Sequence, residues 1–200
     1  MQSVNDLLAR EAIREALQLY ARGVDRRDWA LVAGAYHPDA HDDHGGYKGG
    51  IPGLLEWLER RHASIEQSMH FLGNCLIDFR SDSRAVVETY CVVYQRYGEE
   101  ARETIRTWLG DEPLPPGKRL MAELVCRYVD HFERRNGEWR IARRTVVLEE
   151  VKASAEPVRL KPDYAVAKRD RSDALGQALG TDSGTTVLRA IRHSPLRRSK

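Results

Sequence analysis

The chain has 200 residues, a formal net charge of +2 and 42% hydrophobic residues. That length and apolar fraction predict one domain with a buried core. The near balance of acids and bases gives no reason to expect a nucleic acid partner, and no stretch approaches the roughly 18 apolar residues of a membrane helix. The N-terminus lacks the apolar run of a signal peptide, and three widely spaced cysteines suit reduced thiols. We therefore expect a cytoplasmic protein.

The first part of the chain has the period of an amphipathic helix. Asn5 or Asp6 is suited to cap this helix, which we expect to run to about Arg22. Gly23 is a natural stop, because glycine readily adopts the left-handed backbone that ends helices. This prediction places Asp25 in or just after the turn.

Two further helices are predicted before the first long strand. A short one covers residues 28–36 and is ended by the His-Pro-Asp sequence at 37–39. The polar, glycine-rich segment 41–50 then predicts a short strand and a turn. The third helix begins at Pro52, which suits a first helical turn, and is expected to end near Gln67.

Strand-like sequence dominates the middle of the chain, with alternating apolar residues and many valines and tyrosines. Strands are predicted over residues 71–79, 85–97, 119–133 and 139–151. Residues 98–117 predict a long loop with one helical turn around Trp108. Asn136-Gly137 predicts a tight hairpin, since both residues tolerate the positive φ angles of that turn.

This order of elements predicts an α+β domain over residues 1–153. Three N-terminal helices would pack on one face of a curved, mostly antiparallel sheet, forming a cone-shaped α+β barrel. Such a barrel leaves a pocket for a small molecule between the helices and the sheet. Residues 154–200 read as a C-terminal extension, loosely structured or covering the pocket or a partner subunit.

Several short motifs resemble a known family. Residues 18–29 read QLYARGVDRRDW, 36–40 read YHPDA, 47–49 read YKG and 132–141 read FERRNGEWRI. Together they resemble the SnoaL-like branch of the nuclear transport factor 2-like superfamily. The resemblance covers roughly residues 4–152 and implies the same cone-shaped barrel, but the fold itself hosts many functions.

Within that superfamily, four residues resemble those of scytalone dehydratase, hexachlorocyclohexane dehydrochlorinase and bile acid 7α-dehydratase. Asp25 and His70 match the aspartate–histidine pair of these lyases. Arg144 falls where the last two carry a pocket arginine, and Tyr20 matches the tyrosine of the bile acid enzyme. The dehydrochlorinase has a lysine at the position of Tyr20, so the resemblance favours oxygenated substrates.

These four residue types have the chemistry of an elimination. A neutral His70 is a suitable base near pH 7, and Asp25 would fix its tautomer and stabilise its protonated form. The same imidazolium, or Tyr20 through its hydroxyl group, would donate a proton to a departing hydroxyl group. Arg144 would hold a carboxylate, phenolate or leaving oxygen. This chemistry needs no metal and no organic cofactor.

Each of these residues also has a purely structural interpretation. His70 would be a buried structural histidine, and Asp25 would cap the second helix. Tyr20 would be a core aromatic residue whose hydroxyl group is satisfied internally. These alternatives stay open on the sequence alone.

The direction of Arg144 follows from strand alternation. Val146 and Leu148 share its face, which favours Arg144 over the preceding arginine as the inward residue. Its structural alternative is an ion pair with Asp130 or Glu149.

Further substrate contacts are expected from residues near the predicted pocket. Tyr128 and Asp130 share one face of the third long strand, which lines the pocket or else faces solvent or a partner subunit. Asn74, Trp29 and Tyr47 complete the predicted binding set.

The polar segment after the second helix invites a metal interpretation. Its potential ligands are His37, Asp39, His41, Asp42, Asp43 and His44. The spacing is too crowded for one tetrahedral site, and no distant ligand group completes it, so we predict no metal. The glycine-rich stretch that follows lacks the Gly-Lys-Ser/Thr ending of a phosphate loop.

The predicted function is a cofactor-independent lyase, first a dehydratase of a hydroxylated cyclic or aromatic small molecule. The alternatives are a formaldehyde-releasing lyase on lignin-derived aromatics, a steroid or polyketide isomerase or cyclase, and a non-catalytic binding module. Homo-oligomers are common among similar lyases, so we expect a trimer first and a dimer second.

Overall fold

A computed structural model describes residues 3–111, 114, 118–155, 163–170 and 172–180. Within these ranges, no helix combines the length and the apolarity needed to cross a membrane. Predictions for the rest of the C-terminal extension lie outside the described residues.

Three helices precede the long strands, and two short helices follow later in the chain. They are α1 (Val4–Arg26), α2 (Trp29–Gly34), α3 (Ile51–His62), α4 (Arg102–Leu109) and α5 (Ala174–Leu179). The polar excursion after residue 98 therefore holds a two-turn helix, α4, rather than a single turn.

Six strands form one sheet. They are β1 (Tyr36–Asp43), β2 (Lys48–Gly50), β3 (Ile65–Ser81), β4 (Arg84–Tyr97), β5 (Leu120–Arg135) and β6 (Glu138–Ser154). The spatial order is β2-β1-β6-β5-β4-β3, and every neighbouring pair is antiparallel except β1 and β6. The predicted α+β class, with helices before a curved and mostly antiparallel sheet, is confirmed.

The first helix differs from the prediction at both ends. Ser3, not Asn5 or Asp6, is the N-cap, and it forms a capping box with Asp6. Gly23 does not stop the helix, because it is buried where α2 crosses. A Cβ atom there would lie 2.8 Å from Val32 Cγ2, so glycine permits the close approach of the two helices.

The helix therefore continues past Gly23 and carries Asp25 in its last turn. It ends at Arg27, whose φ of 55° is the left-handed conformation of a C-terminal cap. The second helix is capped by Asp28, which accepts from the Leu31 N–H at 3.1 Å. Capping of α2 is thus the role of Asp28 and not of Asp25.

The second and third helices both end earlier than predicted. Helix α2 stops at Gly34, and the His-Pro-Asp sequence lies inside β1, because Tyr36 pairs with Ile141 of β6. Helix α3 stops at His62, and β3 begins at Ile65. His70 consequently lies well inside a strand rather than at its start. In both places, sheet pairing replaces the last predicted turn of helix.

The long strands agree with the pattern of the sequence. Along β4, every second side chain from Ala85 to Tyr97 is buried. The hairpin between β5 and β6 is formed by Asn136 and Gly137, with φ angles of 52° and 86°. The predicted Asn-Gly turn is therefore confirmed.

Helix α1 lies across the sheet and contacts both β3 and β6. Its buried side chains include Ile13, Leu17, Tyr20 and Val24. Burial of each large apolar side chain contributes roughly 1.5–3 kcal/mol, so this helix is a main support of the core. Because α1 crosses the sheet, Tyr20 lies over one end of the sheet and Asp25 lies over the edge strand β3.

The other face of the sheet exposes apolar side chains. These are Met69, Phe71, Leu76, Tyr90, Tyr94 and Val147. Exposed apolar patches of this kind are frequent at protein–protein contacts. The expected homo-oligomer stays a prediction, which light scattering on the purified chain would test.

Candidate active site

Asp25 and His70 form a hydrogen-bonded pair between α1 and β3. Asp25 Oδ1 accepts from His70 Nδ1 at 2.6 Å and from Ser68 Oγ at 2.9 Å. Asp25 Oδ2 accepts from the backbone N–H of His70 at 2.8 Å. The carboxylate therefore fixes both the strand and the imidazole ring, and the two residues that the sequence paired do meet.

Electrostatics keep this carboxylate ionised. Burial alone would raise the pKa of Asp25, but the hydrogen bonds and charge of His70, with the bond from Ser68, lower it below its usual range. An ionised carboxylate only accepts hydrogen bonds, so His70 Nδ1 carries the proton. His70 Nε2 is then the proton-accepting atom, and it has no hydrogen bond within the described part of the chain.

A cavity of about 720 Å³ lies beside this pair. Its lining includes Asp25 from α1, His70 from β3 and residues 165–168 from the C-terminal extension. It also includes Met69 and Tyr94 of the opposite sheet face, so the cavity spans the edge of the sheet at β3. The volume lies within the roughly 300–1,000 Å³ of small-molecule sites. The pair thus faces a space large enough for a ring-containing substrate.

Arg169 fixes the C-terminal wall of this cavity. Its guanidinium donates to the carbonyl oxygens of Asp25 at 2.9 Å, Val24 at 2.8 Å and Ile65 at 2.8 Å. It also donates to His62 Nδ1 at 2.7 Å. One buried side chain therefore satisfies carbonyl groups at the end of α1 and the start of β3, directly behind the Asp25–His70 pair.

His62 is held neutral by this contact. A guanidinium only donates, so Nδ1 of His62 must present its lone pair to Arg169. Burial, together with the positive charges of Arg169 and Arg61, lowers the pKa of His62 to about 2. Trp29, predicted to contact substrate, packs edge-on against His62 and does not line the cavity.

A second anchor holds the same wall. Asp173 accepts from Arg26 Nη1 at 3.1 Å and from Arg26 Nη2 at 2.8 Å. It also accepts from the Lys168 backbone N–H at 3.1 Å, and Gln67 Nε2 donates to the Ala167 carbonyl group. The described part of the extension is thereby attached to the end of α1 and to β3.

Arg144 lies in a separate buried cluster. It forms two parallel hydrogen bonds to Asp130, at 2.8 and 2.7 Å, and both side chains are fully buried. Its guanidinium lies 4.2 Å from the Tyr20 ring centroid and 4.1 Å from that of Tyr128. Burial alone would lower the pKa of Arg144, but Asp130 raises it above its usual range. Arg144 therefore points inward, as predicted, and it also forms the ion pair with Asp130 that was its structural alternative.

This cluster does not line the described cavity, although Tyr20, Tyr128, Asp130 and Arg144 lie on the sheet face covered by the helices. Arg144 Nη1 is buried and has no hydrogen-bond partner in the described part of the chain. A buried donor of this kind is free to bind an oxygen atom of a ligand. Leu148, predicted to share the inward face, is 55% exposed. It nevertheless keeps the predicted register, opposite the buried Cys126 of β5.

A second aspartate–histidine pair was missed by the sequence reasoning, which considered its members only as metal ligands. His44 Nδ1 hydrogen-bonds to Asp42 Oδ1, and His44 Nε2 lies 3.2 Å from the Tyr20 hydroxyl group. Asp42 is fully buried and also accepts from the Tyr36 hydroxyl group at 2.7 Å. The Asp-x-His spacing at the end of β1 was the available signal, because residues two apart point to the same face of a strand.

The remaining predicted contacts lie away from the cavity. Asn74 is exposed where the β3–β4 register shifts. Tyr47 stacks on Trp57 and donates to the Gly50 carbonyl group at 2.6 Å. His37 is bonded through Nε2 to the Glu133 carbonyl group at 2.9 Å. These side chains have structural contacts in this structure.

The fold and the pair define a class: an α+β protein with helices on a curved six-stranded sheet and an aspartate–histidine pair at a cavity. Residues 5–145 match the model of the SnoaL-like domain, and the chain belongs to that family. The resemblance seen in the sequence motifs is therefore confirmed. No protein of curated function matches the chain.

Solved structures share the fold at low identity. A protein from Novosphingobium aromaticivorans, provisionally assigned as a scytalone dehydratase, is 19% identical with a TM-score of 0.59 over 82% of this chain and 98% of its own. A hexachlorocyclohexane dehydrochlorinase from Novosphingobium barchaimii is 17% identical with a TM-score of 0.64 over 80% of this chain and 100% of its own. A protein of unknown function from Mycobacterium tuberculosis is 21% identical with a TM-score of 0.53 over 86% of this chain and 90% of its own.

Proposed function

We propose that the chain is a cofactor-independent lyase that removes water from a hydroxylated cyclic or aromatic small molecule. The observation that carries this proposal is the Asp25–His70 pair, whose unbonded Nε2 belongs to a residue lining a cavity of about 720 Å³. A base held in one orientation beside a small-molecule cavity is the main requirement for removing a carbon-bound proton.

In the proposed reaction, His70 Nε2 takes a proton from a substrate carbon. The electron pair of that C–H bond forms the new double bond, and the neighbouring C–O bond breaks with its electrons on oxygen. Asp25 stabilises the imidazolium that forms, because it already bonds to Nδ1. A positioned base of this kind contributes about 10²- to 10⁴-fold to the rate.

The departing oxygen needs a proton donor, and Tyr20 is the proposed one. Burial raises the pKa of Tyr20 above its usual value, although the charge of Arg144 opposes this shift. The phenol therefore stays protonated at neutral pH and keeps a proton to donate. Tyr20 and Arg144 do not line the described cavity, so these roles require a substrate that reaches from His70 to the helix-covered face of the sheet. There the unpaired Nη1 donor of Arg144 is suited to hold a carboxylate or phenolate oxygen.

The structural neighbours support a lyase, since a provisionally assigned dehydratase and a dehydrochlorinase have the same fold. Their identity of 17–19% leaves the reaction and substrate of this chain as proposals. Tyr20, at the position where the sequence resemblance puts a lysine in the dehydrochlorinase, favours loss of an oxygen group.

The experiment incubates the purified chain with a panel of hydroxylated aromatics, naphthols and steroids and identifies products by mass spectrometry. We expect a product lighter by one water, a rate at least about 10²-fold lower in His70→Ala, and no change in His41→Ala, which alters an exposed histidine on β1. Isomerised products, or released formaldehyde, would replace the dehydratase proposal by one of its alternatives. Equal turnover in wild type and His70→Ala would refute the role of the pair.

A further inference from the structure

The proposed reaction assigns no role to the Asp42–His44 pair. The Tyr20 hydroxyl group lies 3.2 Å from His44 Nε2 and hydrogen-bonds to it. Asp42 is fully buried and accepts from Tyr36, so it is oriented from one side and binds the imidazole from the other. The chain Tyr36–Asp42–His44–Tyr20 is thus a continuous hydrogen-bonded series that ends on the proposed proton donor.

The proton positions in this series follow from the donor inventory. A carboxylate only accepts, so His44 Nδ1 donates to Asp42. In a neutral ring Nε2 is then the acceptor, and the Tyr20 O–H points at it. In that state the only proton of Tyr20 is directed toward His44 and away from any substrate.

A doubly protonated His44 reverses this direction. Its Nε2–H donates to the Tyr20 oxygen, which frees the Tyr20 proton for a departing group. The His44 side chain is 15% exposed whereas that of Asp42 is fully buried, so the imidazole is the member of the pair that lies nearer to solvent.

We propose that Asp42 and His44 form a proton relay that loads Tyr20. As Tyr20 gives its O–H proton to the departing hydroxyl group, which leaves as water, Nε2 of protonated His44 gives a proton to the Tyr20 oxygen. His44 then takes one proton from solvent, and His70 releases to solvent the proton it took from carbon. No proton is gained or lost over the cycle. His44 and Asp42 act through Tyr20 and are positioning residues.

The surroundings of His44 suit a ring that changes its charge. Asp42 from β1 contacts it directly, and Asp130 from β5 lies within electrostatic range. Trp57 from α3 covers the ring, with centroids 5.7 Å apart, and Tyr20 from α1 closes the other side. Arg144 from β6 opposes the positive charge, but its own charge is paired with Asp130. Two carboxylates thus balance the two cations of the cluster.

The simpler interpretation is that His44 only holds Tyr20 in place. Glutamine distinguishes the two, because its side-chain amide reaches the position of Nε2 and bonds a phenol but does not carry a relayed proton. His44→Gln keeps the contact and removes the relay, whereas His44→Phe removes both. His41→Gln, an exposed histidine on the same strand, is the matched control.

The first arm of the test needs no substrate. Long-range ¹H–¹⁵N correlation spectra of the ¹⁵N-histidine-labelled full chain report which ring nitrogen carries a proton, and His44→Gln assigns the signals. We expect a proton on His44 Nδ1, and a shift of His44 Nε2 but not of the His70 nitrogens in Tyr20→Phe. A bare Nδ1, or an Nε2 signal that Tyr20→Phe does not move, would overturn the relay.

The second arm rests on the proposed function and compares two leaving groups. It uses a panel compound that the chain dehydrates and its analogue with chloride in place of the departing hydroxyl group, since chloride leaves without a proton. We expect His44→Gln to lower kcat for water loss by about 10²-fold and to leave chloride loss nearly unchanged. His70→Ala slows both reactions.

The outcomes separate the two proposals. If His44→Gln slows both leaving groups equally, or neither, while His70→Ala still slows both, the relay is wrong and the lyase stands. If His70→Ala slows neither, the lyase itself is wrong. In the Tyr20→Phe background, His44→Gln should have no further effect on water loss, because the relay acts only through the phenol.

Discussion

Two aspartate–histidine pairs in this molecule have the same local chemistry and different surroundings. In both, a carboxylate oxygen bonds to Nδ1 of the imidazole. In the Asp25–His70 pair, called the open pair below, Nε2 of His70 has no bonded partner within the described residues, and His70 lines a cavity. In the Asp42–His44 pair, Nε2 of His44 hydrogen-bonds to the phenol group of Tyr20. The comparison shows that the group facing Nε2, and not the pair itself, decides what each imidazole can do.

The two pairs also depend on different supports. Asp25 and His70 lie 45 residues apart and meet only because α1 crosses the sheet, with Arg169 fixing the end of that helix. Asp42 and His44 are two residues apart and need only a strand end. On its core side, the second pair is supported by the buried ion pair of Arg144 with Asp130. Changing these supports separately tests whether the pairs are independent.

The largest effect on stability is expected from Asp130→Asn, which removes the partner of fully buried Arg144. A buried guanidinium left without its counter-ion destabilises a protein by about 3–5 kcal/mol. Urea unfolding followed by circular dichroism measures this loss. The same change should move the His44 ring signals, because Tyr20 packs against Arg144, and leave the His70 signals in place.

The control is Asp39→Asn. Asp39 pairs with Arg135 at 2.6 Å, but its side chain is 68% exposed, so no measurable loss of stability is expected. Equal losses for Asp39→Asn and Asp130→Asn would contradict the importance of the buried pair.

A smaller effect, on the open pair, is expected from Arg169→Met. The substitution removes the Arg169 donor from the Asp25 carbonyl group and one of the donors to the Val24 and Ile65 carbonyl groups, which lowers the free energy of unfolding by about 1–3 kcal/mol. The cavity wall at residues 165–168 loses an anchor, so KM for the proposed substrate should rise more than kcat falls.

Thermal melts and steady-state kinetics measure both effects. Arg80→Met, which alters an exposed arginine on β3, is the matched control and should change neither. An unchanged KM in Arg169→Met would show that the extension does not shape the proposed binding site.

The smallest effect concerns the pH dependence of stability through His62, behind the open pair. Its pKa is lowered to about 2 in the folded chain, so the folded state binds fewer protons than the unfolded state between about pH 2 and 6.5. Stability from this group is present above pH 6.5 and is lost as the pH falls, by up to about 1.4 kcal/mol per pH unit.

Urea titrations at about pH 7, 6 and 5 measure this slope. The slope should be smaller in His62→Gln than in wild type, and His41→Gln, on an exposed position, should retain the wild-type slope. A wild-type slope in His62→Gln would mean that folding does not lower the pKa of this histidine.

Much of the fold followed from local patterns. Alternation along β4 to β6 predicted the long strands and the inward direction of Arg144, because side chains on a strand alternate by geometry alone. Leu148 keeps the same register, opposite Cys126, but is 55% exposed, because alternation gives the direction of a side chain and not whether another element covers it. Gly23 was misread as a helix stop because its close approach to α2 exists only in the packed molecule.

The site was predicted in part. Asp25 and His70 were paired from motifs, although the end of α1 and the start of β3 were misplaced by several residues. His44 was considered only as a metal ligand, because its partner Tyr20 comes from a distant helix. Arg169 was not anticipated at all: it binds backbone carbonyl groups, which every residue has and which no sequence motif marks.

The sequence by itself determined the family, the antiparallel strands and the residues of the open pair, because period and motif act over short distances along the chain. Tertiary structure alone decided which atom faces each imidazole. That depends on how α1 crosses the sheet, how Arg144 packs between two tyrosine rings, and where the extension returns to the end of the helix. These are contacts between segments far apart in the chain, whose geometry is set by packing of the whole core.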